Sequence, residues 1–289
     1  MVPLKGFDKF LEKLPGYEGK KIFLLFILFP ISFTLSLLTM ITFDVYPRLY
    51  PGLVILVPLE PILPIFGVLI CEIIGFQLVF QVWQKRKSYL KENKVTAYQR
   101  ALKFGLSGVC FIFTVVLHIF ITLNLLSPRD PVNPLTKSLS TSLFKYVPLI
   151  MDYDGSIRFI LFIFFSIIGL LGLLRALLTF GFDYMAWVYL YYPDESELQK
   201  YEIYSIIRHP TYSSVIILAI SGFFLNFTIY SFIFLLLITG GLIYLIQNVE
   251  ERELIERFGE TYIEYMKSVP RFIPKLNKIR QYFKYLLGK

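Results

Sequence analysis

The sequence predicts an all-α, polytopic integral membrane protein with about six transmembrane helices. Three observations carry that expectation. Of 289 residues, 56% are hydrophobic and only 17% charged, too little polar surface for a soluble domain of this size. The mean hydropathy is +0.62. Several uninterrupted apolar stretches are also long enough to cross a bilayer. Aromatic residues, 18% of the chain, suit lipid-facing surfaces and interfacial belts.

The spans follow in order. Residues 1–21 are charged and contain Pro3 and Pro15, unlike a cleaved signal peptide. The first apolar run covers 22–43. The second, 53–83, is too long for one straight span. Pro58, Pro61 and Pro64 near its start predict an irregular lead-in and a helix from about 62. Runs at 104–127 and 157–182 follow, then a hairpin of 211–225 and 229–247 turning near Asn226 and Phe227. The chain thus divides into a cytoplasmic N-terminus (1–21), N-terminal spans (22–150), a C-terminal membrane core (151–274) and a basic tail (275–289).

Net charge is +8. Lysine and arginine cluster before the first span, between the second and third, and after the hairpin. Both termini are therefore expected in the cytoplasm, in the plasma membrane of a prokaryote or the endoplasmic reticulum of a eukaryote. Orientation accounts for the basic excess, and no nucleic-acid partner is expected. Cys71 and Cys110 both lie in apolar runs, which argues against a disulfide framework or a cysteine-ligated metal. Leu4, Phe7, Leu11 and Leu14 recur at helical spacing among lysines, as do Leu276, Ile279, Phe283 and Leu286. Each set suits a helix lying on anionic headgroups or one packed on its own protein. The segment from Ser127 to Asp154 reads as an external connection.

Chemistry concentrates at the open ends of the hairpin. One end reads Tyr204-Ser-Ile-Ile-Arg208-His209-Pro210-Thr211-Tyr212 and the other begins at Glu250-Glu251. At ~1.5 Å per residue, His209 lies ~27 Å and Glu250 ~34 Å from the turn, so both groups reach similar heights on one side of the bilayer. Pro210 suits the first turn of a helix, whose free N–H groups offer a site for an anion. Arg208 and His209 add donors. Glu250 and Glu251 sit on a helix expected to run from Ile229 to about Phe258 and to stop at Gly259. Acidic side chains there suit hydroxyls, an amine or another cation. Glu72 and His118 are intramembrane ionisable groups, expected to pair or to line an acceptor tunnel. Arg175 is expected to snorkel to headgroups or to serve a substrate. Trp187, Tyr189, Tyr191 and Tyr192 read first as an interfacial belt.

Arg-His-Pro-x-Tyr, the short hydrophobic hairpin, Glu-Glu-x-x-Leu-x-x-x-Phe-Gly-x-x-Tyr-x-x-Tyr and Val-Pro-Arg-x-Ile-Pro together resemble the isoprenylcysteine carboxyl methyltransferases. Their relatives include the phospholipid N-methyltransferases. The resemblance covers about 195–275 and implies S-adenosylmethionine in a cytoplasmic pocket, with a lipid or lipidated acceptor arriving from the bilayer. Carried over by position, it places Leu198, Gln199, Tyr204, His209, Pro210, Thr211, Tyr212, Glu250 and Glu251 around the cofactor. Arg208 and Glu251 are then the catalytic candidates, Glu251 as a base for an amine acceptor; Arg175, Glu72 and His118 are candidates for the acceptor. The chain departs from the family at Glu202 and Ser214, where glycine is usual. It also departs at Ile246, Gln247 and Asn248, where an arginine commonly serves the substrate carboxylate. An NADPH-dependent sterol or enone reductase relative and a non-enzymatic membrane scaffold or transporter are the alternative expectations.

Overall fold

Every long apolar stretch becomes a helix. The computed structural model describes residues 5–17, 19–50, 52–121, 130–147 and 151–288, and no β-strand occurs among them. The long helices are α1 (Ile22–Leu49), α2 (Leu63–Gln84), α3 (Lys94–Phe120), α4 (Asp154–Phe180), α5 (Pro210–Asn226) and α6 (Ile229–Phe258). Two short ones, α7 (Glu260–Ser268) and α8 (Ile279–Leu286), complete the C-terminal part. Five of these helices are long and apolar enough to cross a membrane. The 17-residue α5 spans only ~25 Å, short of a ~30 Å hydrocarbon core. The third expected span ran to residue 127, but α3 ends at Phe120; residues 122–129 lie outside the described residues, as does Leu4.

Local signals set the helix ends. Asn93 caps α3 by accepting the N–H of Val95. The hairpin turns where expected: Asn226 ends α5, Phe227 adopts φ 48°, and Thr228 starts α6 in a reciprocal cap with Ser231. The prolines before α2 give the irregular lead-in, with the helix starting at Leu63. Gly259, at φ 53°, stops α6.

With few polar groups available, the helices associate through small residues. α2 meets α3 at Gly75 and Gly108. A Cβ on Gly108 would lie 2.6 Å from the carbonyl oxygen of Gly75, backbone that has no room to retreat. α4 meets α5 at Gly169 and Gly172, and a Cβ on Gly172 would lie 2.5 Å from Ser214 Oγ. Gly108→Leu is therefore expected to cost ~1–3 kcal/mol or more by overpacking. Thermal unfolding in detergent reads this, and an unchanged midpoint would contradict the close approach.

Both described chain ends lie at one end of the bundle. The carbonyl of Lys5 accepts the N–H of Phe182, and Arg175 Nε donates to the carbonyl of Leu286 at 3.2 Å. At the opposite end Arg48 pairs with Glu60 at 3.2 Å, and Tyr230 donates to the carbonyl of Pro61. The N-terminal helix, Phe7–Glu12, packs on its own protein: Phe10 and Leu14 are each only 1% exposed. In α8 Tyr282 and Leu286 are buried, while Ile279 and Phe283, like Leu276 just before the helix, are exposed. The supposed aromatic belt is internal. Tyr191 donates to the carbonyl of Val82 and Tyr189 to Asp183, and both rings are buried.

Candidate functional site

The hairpin brings its open ends together. His209 precedes α5 and Glu250 lies near the end of α6, with Nδ1 of the histidine 3.5 Å from Oε1 of Glu250. α6 does not run as a plain α-helix to that point; residues Ile246–Glu250 form a π-helical turn. Such turns often mark functional sites. Adjacent positions on a helix point in different directions, so the two acids take different neighbours.

Glu251 is a buried hub. Its Oε1 accepts from Arg208 Nη2 at 2.8 Å and Nε at 3.2 Å, and lies 3.2 Å from His209 Nε2. Oε2 accepts from Arg271 Nη2 at 2.6 Å. The backbone joins in: Arg208 N–H donates to Pro270 O and His209 N–H to Arg271 O. Arg208 Nη1 donates to the carbonyls of Met266 and Val269. Glu251, expected as a base, is thus engaged on both oxygens and does not line the cavity described below. Its place is structural. Burial alone would lower the His209 pKa, but the hydrogen bonds and charges of Glu250 and Glu251 outweigh it and hold the pKa above the usual histidine value.

A single cavity of about 490 Å³ opens beside this cluster, within the usual range for small-molecule sites. Its lining includes Leu198, Gln199, Tyr204, His209, Pro210, Thr211, Tyr212 and Glu250, with Arg208, Tyr262 and Tyr265. The first eight are the expected cofactor residues, with Glu251 excepted. Apolar lining comes from Val79 and Trp83 of α2, Leu102, Leu106 and Val109 of α3, and Leu242 and Leu245 of α6. Two polar atoms on the wall are buried without a hydrogen-bond partner: Oε2 of Glu250 and the hydroxyl of Tyr262.

The residues expected to meet an acceptor lie elsewhere. His118 pairs with Asp44, Nε2 to Oδ2 at 2.6 Å, and not with Glu72. Glu72 is two helical turns, ~10 Å, deeper than the lining residue Val79 and packs against Gly241. Arg175 ties the end of α8 to α4. None of these side chains lines the large cavity. Sequence reasoning passed over Trp83 and Arg271. Arg271 stood in the quoted Val-Pro-Arg motif, which was the available signal; nothing local marked Trp83.

The unusual Glu202 adopts φ 50°, a conformation that suits glycine. Its carboxylate is held by Thr179 Oγ1 at 2.5 Å, which offsets part of the ~1–2 kcal/mol left-handed cost. Glu202→Gly is expected to leave stability within ~1 kcal/mol, because strain relief and the lost hydrogen bond nearly cancel. Glu202→Val, β-branched and without the bond, is expected to lose more. Equal unfolding midpoints for the two variants would refute this account.

No family model matches the chain, and neither curated proteins nor solved structures give a match. What the structure defines is a class: a helical, membrane-type protein with a cavity lined by both polar and apolar side chains.

Proposed function

We propose that this chain is an S-adenosylmethionine-dependent methyltransferase acting on a hydrophobic or membrane-embedded acceptor, with its site on the cytoplasmic face. One observation supports the reading above the others: the same cavity is lined by the residues that the resemblance implies for the cofactor, Glu251 excepted, and by apolar side chains of α2, α3 and α6. The donor set suits the group. The free N–H groups at the start of α5 would hold the cofactor's carboxylate, and Glu250 and Tyr262 on the cavity lining would take its ammonium or hydroxyls. When bound, S-adenosylmethionine supplies a methyl group on a positively charged sulfur.

The chain's own contribution is positioning and exclusion of water. Tyr204, Tyr212 and Tyr265 line the cavity, and aromatic rings suit a cation. Glu251 and Arg208 hold the start of α5 against the end of α6 and keep His209 beside Glu250; theirs is a positioning role. The apolar lining from α2, α3 and α6 would hold the acceptor's hydrocarbon. Calorimetric titration of the detergent-solubilised protein with S-adenosylhomocysteine and, separately, with NADPH tests the reading. Saturable heat from the first alone is expected. Heat from NADPH alone would make the chain a reductase, and heat from neither would leave a scaffold or transporter.

A further inference from the structure

The helix α8 carries a wide apolar arc, and the protein covers only half of it. Tyr282 and Leu286 are buried in a cluster with Ile203 and Tyr204 and with Ile168 and Leu171 of α4. At ~3.6 residues per turn, Ile279, Phe283 and Leu287 come next around the helix. All three are exposed, Phe283 at 42% and Leu287 at 62%. Beyond them lie Arg280 and Lys284, also exposed. The order is thus protein face, open apolar face, basic edge.

The depth of the helix decides what can cover the open face. Arg175 of α4 donates to the carbonyl of Leu286, and a Cβ on Gly172 would lie 3.7 Å from Leu286 Cδ2. Gly172 stands ~12 Å inside the end of α4 at Phe180. The end of α8 therefore lies alongside a helix that is long and apolar enough to cross a membrane. On the adjoining strip of α4, Leu170, Leu174 and Leu178 are exposed too, so one layer of hydrocarbon would cover both surfaces. A soluble partner would have to reach a face at that depth. Charge points the same way. After Glu264 the sequence contains no acidic residue. Lys275, Arg280 and Lys284 are exposed and pair with no carboxylate among the described residues. A basic edge beside an open apolar face is what anionic headgroups favour.

We propose that α8 is an interfacial helix that binds anionic membrane lipid: Ile279, Phe283 and Leu287 sit among acyl chains, while Lys275, Arg280 and Lys284 hold the headgroups. This surface is separate from the large cavity and does not depend on the methyltransferase reading. It does brace the cavity from outside, because α8 packs on the segment that supplies Tyr204 and Lys278 Nζ donates to the carbonyl of Ser205.

A single fluorescent probe tests both halves. Cys71 and Cys110 are fully buried, so bimane attached to a Leu287→Cys variant of the full-length protein reports from the open face alone. The protein is placed in bilayers of phosphatidylcholine and phosphatidylglycerol in which one lipid at a time carries a nitroxide on its acyl chain. Quenching is expected, with phosphatidylglycerol favoured at least twofold over phosphatidylcholine. Lys275→Gln, Arg280→Gln and Lys284→Gln combined should abolish the preference and leave quenching by phosphatidylcholine in place; ~0.5 M salt should weaken it. No quenching by either lipid would overturn the proposal and leave the face to a soluble partner. Equal quenching by both lipids in the parent, or a preference that survives the three substitutions, would also overturn it.

Discussion

Glu251→Ala is expected to destabilise the protein by about 3–5 kcal/mol, the cost of breaking a buried ion cluster by removing one partner. The side chain is 4% exposed and meets Arg208, His209 and Arg271 within 3.2 Å. Its removal leaves those donors facing one another with no anion between them. The segment from Val269 to Phe272 is held against Arg208, His209 and Ser213 by backbone and side-chain bonds, so its docking should loosen at the same time. Glu251→Gln retains shape and one acceptor and should lose less. Reversible unfolding in detergent gives both numbers. An alanine variant as stable as the parent would show that the cluster contributes nothing.

The same cluster carries a pH dependence. The folded pKa of His209 is raised, so the imidazolium stabilises the fold fully below the unfolded value of ~6.5. That contribution is lost as pH rises through the folded pKa. The unfolding midpoint of the parent should fall over that interval, and His209→Ala should lack this part of the slope.

His209→Ala and Glu250→Ala are each expected to weaken S-adenosylhomocysteine by more than ~1.4 kcal/mol, a factor of ten. The reasons differ. Glu250 lines the cavity beside Tyr204 and Tyr212. His209 holds Oε1 of Glu250 at 3.5 Å from its Nδ1 and borders the first turn of α5, so its loss frees the carboxylate to turn away. Arg175→Ala is the control: its side chain bonds the carbonyl of Leu286 and does not line the cavity, so affinity should stay within twofold. Calorimetry on variants that remain folded at the titration temperature and pH decides the matter. Parent-like affinity in both His209 and Glu250 variants would remove the site assignment.

Much of the architecture was written locally. Composition and run length gave the helices, the prolines before Leu63 gave the irregular start of α2, and Gly259 gave the end of α6. The nearness of His209 and Glu250 was also legible, because two helices joined by a tight turn must return to the same height. The π-helical turn at Ile246–Glu250 was not legible, since it changes one residue's worth of phase without a residue type that announces it. Nor was the partition of the acidic pair. Glu250 and Glu251 are identical in sequence terms, yet that phase puts one on the cavity and the other among Arg208, His209 and Arg271.

The acceptor side shows the same limit more sharply. Glu72 and His118 stood out because ionisable groups are rare in apolar runs, but rarity does not say what lies opposite. Asp44, on α1, takes His118, a pairing across 74 positions that no local pattern encodes. By itself the sequence determined that the chain is helical and largely apolar, with its candidate chemistry at the hairpin's open ends, because hydrophobic run length and turn chemistry act over a few residues. Only the tertiary structure decided which charges neutralise one another and which carboxylate lines the cavity, because electrostatic pairing in a low-dielectric interior depends on distances between helices far apart in the chain.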